Sequence, residues 1–306
     1  MNELDRRQFI RTSLNAALSA AVVGSLPLID LFALPALAAE PPSVAVRKGE
    51  NIPQLVAATL AALGGIGSFV KPGDKVVVKP NIGWDRTMEQ GANTHPEVVK
   101  AVIEHCLQAG ASRVQVFDNT CNDPRRCYVN SGIQAAVESL RSDRARIEHM
   151  DRRAYQKISI RDGRDLNSWE FYRPAIETDC FINLPVAKNH SISVLTLGMK
   201  NIMGVIGGNR GRLHRRIGEA VTDINLAVHS NLTIIDATRI MLANGPQGGR
   251  LSDVEWRNSL IASRDIVAAD SVAAGLFGYR PEQIPTIVAG AQRGLGVMDL
   301  ARMQLV

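Results

Sequence analysis

Lys75-Val76-Val77-Val78-Lys79-Pro80-Asn81, then Thr94-His95-Pro96-Glu97, then Arg113-Val114-Gln115-Val116-Phe117-Asp118: these three stretches decide the fold. The three valines are β-branched and make a run of strand length after the Lys71-Pro72-Gly73-Asp74 turn. Thr94-His95-Pro96-Glu97 has the form of a capping box with proline in the first helical turn. The helix it starts places Val98, Val99, Val102, Ile103 and Cys106 on one face and stops at Gly110. Residues 113–118 then return to strand-like composition. Strand, capped helix and strand at this spacing form a βαβ unit, which implies a parallel sheet.

The alternation extends in both directions. Helices are expected over 51–63, 131–140, 220–228, 267–277 and 284–293, and strands over 179–184, 232–236 and 260–262. Residues 40–50 read as a polar, proline-containing lead-in. Residues 143–173 are polar and charge-rich and read as a connection between two lobes. The expected class is therefore α/β, a mainly parallel sheet with flanking helices, with a second lobe joined through 143–173.

The amino end carries an address. Asp5-Arg6-Arg7-Gln8-Phe9-Ile10-Arg11 matches the twin-arginine export signal, and an alanine-rich apolar run follows to Leu34. Ala36-Leu37-Ala38 is the small-x-small pattern that a signal peptidase cuts. Asp30, Pro27 and Pro35 interrupt the run and argue against a membrane anchor, which needs roughly 20 apolar residues. The expectation is a precursor that meets the twin-arginine translocase, loses residues 1–38, and works in the periplasm or otherwise outside the inner membrane as a 39–306 domain without a stable membrane span.

The leader holds Arg6, Arg7 and Arg11 against Glu3, Asp5 and Asp30, so the net charge of +5 belongs wholly to the remainder. A modest basic excess with 5% aromatics suits a small anionic ligand better than a nucleic-acid surface. The densest basic cluster is Arg210, Arg212, Arg215 and Arg216, which also fits a solvated loop. Of the cysteines, Cys106 and Cys180 sit in apolar patterns, where the residue behaves as a small hydrophobe. Cys121 and Cys127 flank a turn-rich segment and could close a small disulfide in an oxidising compartment. No Cys-x-x-Cys run is present, so an intrinsic iron–sulfur cluster is not expected.

In open parallel sheets the ligand crevice lies beyond the carboxyl ends of the strands. Three such ends carry unusual residues: Lys79-Pro80-Asn81, Asn183-Leu184-Pro185 leading to Lys188-Asn189-His190, and Asp236 followed by Asn244-Gly245-Pro246. The middle one continues through Lys200-Asn201, Gly204, Gly207 and Gly208 to His214. Glycine lets backbone N–H groups approach an anion, lysine supplies charge, and histidine ligates a metal or moves a proton near neutral pH. The candidates are His190 and Lys188 for catalysis, and Lys200, Asn201, Lys79, Asn81, Gly207 and Gly208 for holding a cofactor. His214 is the candidate metal ligand. His105, His149 and His229 read as surface or capping residues.

Taken together, Lys79-Pro80-Asn81, Thr94-His95-Pro96, Lys188-x-His190, Thr196-Leu197-Gly198-Met199-Lys200-Asn201 and Asn244-Gly245-Pro246-x-x-Gly249 resemble the family catalogued as domain of unknown function 362. Ala262-Ser263-Arg264-Asp265, Ala269-Asp270 and Gly294-Leu295-Gly296 extend the resemblance over nearly all of 70–300. Some members carry a ferredoxin-like module, whose cysteines this chain lacks. The stretch from His190 to His214 is also similar to the core of lactate-racemase-like enzymes, which use a nickel-pincer nucleotide. That similarity implies His190 as an acid/base, Lys200 as the covalent attachment point and His214 as the nickel ligand. Those enzymes carry a further catalytic histidine after an early strand, whereas Phe117-Asp118-Asn119-Thr120 has none. One-base hydride exchange at a hydroxylated carbon is compatible with that loss. Two readings follow: an exported, cofactor- or metal-dependent enzyme (isomerase or oxidoreductase) acting on a small anionic substrate, or a non-enzymatic redox accessory or ligand-binding protein using the same crevice.

Overall fold

The valine run of β2 (Lys75–Pro80) alternates between two cores. Val76 and Val78 pack on one face with Leu60, Val98 and Ile103, while Val77 packs on the other with Phe117, Phe181 and Ile235. That period of two on a strand buried on both faces requires helices on each side. The structure, a computed structural model, describes residues 40–306; the twin-arginine segment and its cleavage site fall outside the described residues.

In chain order, β1 (Ser43–Lys48) precedes α1 (Ile52–Ala62), β2, α2 (Pro96–Gln108) and β3 (Arg113–Val116). Next come α3 (Pro124–Asn130), α4 (Ile133–Glu138) and β4 (Ala145–Ile147), then β5 (Tyr155–Ser159), β6 (Ser168–Tyr172) and α5 (Arg173–Ile176). After these, β7 (Cys180–Leu184), β8 (Val186–His190) and β9 (Val194–Thr196) lead into the single turn α6 (Gly198–Asn201). The chain continues with α7 (Ile217–Ala227), β10 (Leu232–Met241), β11 (Val254–Ser263), α8 (Ile266–Ala274), α9 (Pro285–Gln292) and β12 (Gln304–Leu305).

The main sheet runs β12-β1-β11-β10-β7-β2-β3-β4, with β8 pairing to β10 and β9 to β8. Pairs β3/β4, β2/β3, β2/β7, β7/β10 and β8/β10 are parallel. Antiparallel pairing joins β11 to β1 and β10, and β9 to β8. Helices α1, α2 and α4 cover one face and α7, α8 and α9 the other.

Local details depart from the sequence reading for identifiable reasons. The lead-in at 40–50 contains β1, whose Val44 and Ala45 are fully buried against β11. Helix α2 is capped by His95, whose Nδ1 accepts from the Glu97 N–H at 3.2 Å, and not by Thr94. The Thr94 hydroxyl instead donates to the Leu184 carbonyl at 2.8 Å and accepts from the Asn81 N–H at 2.8 Å, tying two strand ends together. Strand β10 continues past Asp236 to Met241 because the buried Asp236 carboxylate meets the buried Arg239 guanidinium at 2.6 Å. A lone buried charge there would have been costly.

Residues 143–173 carry β4, the edge of the main sheet, and the β5–β6 hairpin. The loop that joins β5 to β6 is pinned by the Asp223 carboxylate, which accepts from the N–H groups of Arg164, Asp165 and Leu166. Residues Pro41–Val306 form one compact unit. No helix among the described residues is long and apolar enough to cross a membrane.

Candidate functional site

The carboxyl ends of β2, β3, β7 and β8 converge on a cleft of about 520 Å³. Register places Lys79 of β2 beside Asn183 of β7, and Asp118 lies just beyond the end of β3. The cleft is lined by Lys79, Asn81, Lys188, His190, Lys200, Asn201, Gly208 and His214. Eight of the nine residues chosen from sequence therefore share one cavity. Gly207 does not: its N–H donates to the Glu170 carbonyl and its own carbonyl accepts from Trp169 Nε1 at 3.0 Å. Its part is to fasten the glycine loop to the β5–β6 hairpin. Gly208, with φ of +65°, makes the left-handed turn that brings the loop back to the cleft.

Asn201 is the hub of the floor. Its Oδ1 accepts from Lys79 Nζ at 3.0 Å and from Asn81 Nδ2 at 3.1 Å. Its Nδ2 donates to the Lys79 carbonyl at 3.2 Å and to Asn183 Oδ1 at 2.8 Å. Lys79, Asn183 and Asn201 are buried and Asn81 is partly buried, so the network holds the floor rigid only while its members are satisfied. The turn that carries Lys200 and Asn201 is held from below by Asp270, whose carboxylate accepts from the Gly198 N–H at 2.6 Å and the Met199 N–H at 2.9 Å. Burial without a basic partner pushes the Asp270 carboxyl up to about 7.

The three lysines differ in how many acceptors they meet. Lys79 Nζ donates to the Pro80 carbonyl at 2.8 Å and Asn201 Oδ1 at 3.0 Å, and forms an ion pair with Asp118 Oδ1 at 2.8 Å. The carboxylate beside it favours the ammonium form. Burial lowers its pKa, and Asp118 opposes that shift. Lys188 Nζ has two acceptors, Asn81 Oδ1 at 3.2 Å and the Ala92 carbonyl. Burial, reinforced by Lys200 and Lys79, brings it down to about 7. Lys200 has no side-chain hydrogen bond or ion pair among the described residues, and burial brings it down to about 8. Asp118, the single carboxylate lining the cleft, is spent on Lys79. Lys200 and Arg210 thus face the cavity as cations without a carboxylate partner.

The two imidazoles stack with ring centroids 5.7 Å apart, and backbone contacts give them opposite tautomers. His190 Nδ1 accepts from the N–H groups of Ile192 at 3.1 Å and Ser193 at 3.3 Å, so in the neutral ring the proton sits on Nε2. His214 Nδ1 lies 3.2 Å from the Gly211 carbonyl, which only accepts, so that nitrogen carries the proton and Nε2 keeps its lone pair. Burial, with Lys200, His214 and Lys188 nearby, pushes His190 down to about 3. His190 is therefore a neutral imidazole that offers its Nε2–H to the cleft. Among the described residues no group of three or more His, Cys, Asp or Glu side chains could hold a metal ion.

Three features of the site were not read from sequence. Asp118 holds Lys79. Asp270 holds the Lys200 turn. Arg210 straps the far wall, donating to the Asn119 carbonyl at 2.7 Å and the Thr120 carbonyl at 2.8 Å. The rest of the basic cluster is spread over the surface: Arg212 lies over the Trp169 ring and Arg216 faces Asp165 at 3.4 Å. An acid as the last residue of the strand expected over 113–118 was the available signal for Asp118. Cys121 is an exposed free thiol at the cleft and Cys127 a separate free thiol buried in α3, so the disulfide this pair could close is not present in the structure.

A family model described as domain of unknown function 362 matches residues 76–275. The thylakoid-associated protein sll1697 of Synechocystis sp. is 30% identical over 244 residues, covering 77% of this chain and 73% of that protein. The lactate racemase apoprotein of Thermoanaerobacterium thermosaccharolyticum shares 9% identity at a TM-score of 0.50; the match takes in 76% of this chain but only 56% of that one. A protein from Thermotoga maritima aligns at 12% identity and a TM-score of 0.43, over 76% of this chain and 60% of that one. At such identities the structural likeness is one of fold. The family match contains β2, β3, β7, β8 and β10 and every lysine and asparagine of the cleft floor, and the chain belongs to the family described as domain of unknown function 362.

Proposed function

We propose that this chain is an exported enzyme that binds a small hydroxy- or oxo-carboxylate in the cleft and carries out isomerase or redox chemistry on it. One observation carries the reading: an unpaired Lys200 ammonium and Arg210 face the same cavity as a donor imidazole, His190, and an acceptor imidazole, His214. Cations satisfy a carboxylate, and the two rings meet an adjacent oxygen and its proton. A fold shared with a lactate racemase apoprotein is consistent with a substrate of this size.

The side chains present also fit a nickel-pincer type of cofactor. Lys200 has no competing hydrogen bond and would be the point of attachment, and the free His214 Nε2 would face the metal. A bare ion is less well served, since the described residues hold no group of three ligands. When bound, such a cofactor supplies a hydride acceptor. The chain's own residues orient the carboxylate and handle protons.

Calorimetric titration with lactate and with pyruvate tests the binding reading. Lys200→Ala is expected to weaken whichever acid binds by roughly tenfold, about 1.4 kcal/mol. No binding of either acid by the wild type, or equal affinity in the variant, would sink it. For the cofactor, protein purified through its native export route is expected to carry stoichiometric metal or a mass adduct on Lys200. Metal-free protein with unmodified Lys200 excludes it and favours a ligand-binding or redox-accessory role. For export, changing Arg6-Arg7 to Lys-Lys is expected to leave the precursor in the cytoplasm, checked by fractionation; undiminished secretion refutes the twin-arginine route.

A further inference from the structure

The two acceptors around Lys188 carry more information than its charge. A neutral amine has two N–H bonds and one lone pair. Asn81 Oδ1 and the Ala92 carbonyl take two N–H bonds, and no third acceptor meets the nitrogen among the described residues. Lys188 and His190 are two apart on β8 and so point to the same side of the strand, and both line the cleft. The charged and titratable groups around Lys188 are Lys79, Lys200, His190, Asp118 and Cys121. Burial chiefly, with Lys200 and Lys79 nearby, disfavours a charge at Lys188, and Asp118 opposes them.

From this arrangement we infer that Lys188 is a neutral-amine general base that removes a proton from the carbon next to the keto group of a small 2-oxo acid. In this step the C–H bond breaks and its proton joins the Lys188 lone pair to give an ammonium. The electron pair forms a carbon–carbon double bond, and charge moves onto the carbonyl oxygen. His190 Nε2–H, locked as a donor by the two amides on Nδ1, hydrogen-bonds that oxygen. Returning the proton to carbon completes a hydrogen exchange or an isomerisation. The step needs no oxidant, so the chain's own groups account for every proton and electron pair. It rests on the proposed carboxylate site, since Lys200 and Arg210 hold the acid end of the substrate. A neutral imidazole donor paired with a buried base is a known solution for stabilising an enolate.

The test is solvent deuterium incorporation, followed by proton NMR, into pyruvate, 2-oxobutyrate and 2-oxovalerate with the purified protein. The wild type is expected to accelerate exchange at the carbon beside the keto group, with a rate that rises as pH passes through about 7, where Lys188 loses its proton. Lys188→Met is expected to cut the rate by at least ~100-fold in protein that still folds and still binds pyruvate, checked by its melting transition and by calorimetry. His190→Phe is expected to cut it by about 100-fold or more through loss of the donor. Exchange that survives Lys188→Met overturns the assignment. So does a wild type that exchanges none of the three acids. In that second case, retained carboxylate binding leaves the binding reading standing, whereas loss of binding removes both.

Discussion

Replacing Gly204 by alanine is expected to lower the unfolding free energy by about 3–5 kcal/mol, the range for breaking a buried ion pair. A Cβ built at this position meets Asp118 Oδ1 at 1.8 Å and the Lys79 Cε and Nζ atoms at 2.5 Å, where no real Cβ contact lies. Asp118 also accepts from the Ile82 N–H at 2.7 Å, and Lys79 is tied to Asn201. Neither partner can withdraw without leaving a buried charge unmatched. The clash therefore separates the pair or moves the backbone of the loop after α6. Denaturant unfolding of Gly204→Ala beside Gly49→Ala, where the added methyl meets nothing within 4 Å, checks the claim. A loss below about 1 kcal/mol, the size of an ordinary surface substitution effect, sinks it.

Asp236→Ala is expected to cost a similar amount, about 3–5 kcal/mol, for the opposite reason: it orphans a cation. The Arg239 guanidinium is fully buried. It donates to Asp236 at 2.6 Å, to the Asn93 carbonyl at 2.6 Å and to the Met88 carbonyl at 3.0 Å. Burial raises the Asp236 carboxyl, but Arg239, His95 and Thr238 more than offset this and hold it below the ordinary carboxylate range. Asp236 also accepts from the His95 N–H at 2.7 Å, so the carboxylate anchors the start of α2 and, through Arg239, the loop that carries Ala92 to Lys188. Asp236→Ala/Arg239→Met is expected to be more stable than Asp236→Ala alone, because removing both partners leaves no unpaired charge. A double variant as unstable as the sum of the two single changes would refute that account.

The parallel sheet was legible because its signals are local. Three valines, a helix with proline in its first turn and a second apolar run lie within 44 residues of one another, and each reports on its own backbone. The cleft was legible for a related reason: strand ends in a parallel sheet gather on one side, so polar residues at several ends, such as Lys79, Asn183 and Lys188, must meet. Where the reading failed, the deciding contact came from far along the chain. Gly207 has the composition of an anion-binding loop, yet its backbone is committed to Glu170 and Trp169 of a hairpin whose position no local pattern reveals. Asp118 looked like an absent histidine. Its partner, Lys79, becomes visible only when β2 and β3 lie side by side.

By itself, then, the sequence determined the α/β class, the side of the sheet on which the candidate cleft forms and eight of the residues that line it. Hydrophobic period, turn chemistry and strand polarity are properties of short segments and need no partner. Tertiary structure alone decided what those residues can do. Lys79, Lys188 and Lys200 are chemically identical in the sequence, and folding sets them apart: Lys79 meets the Asp118 carboxylate, Lys188 meets only neutral oxygens and is lowered furthest by burial, to about 7, and Lys200 has no side-chain partner among the described residues. His190 and His214 likewise acquire opposite tautomers from the amides and the carbonyl that their Nδ1 atoms touch. Protonation state depends on neighbours within a few ångströms, and in this chain those neighbours are brought there by folding.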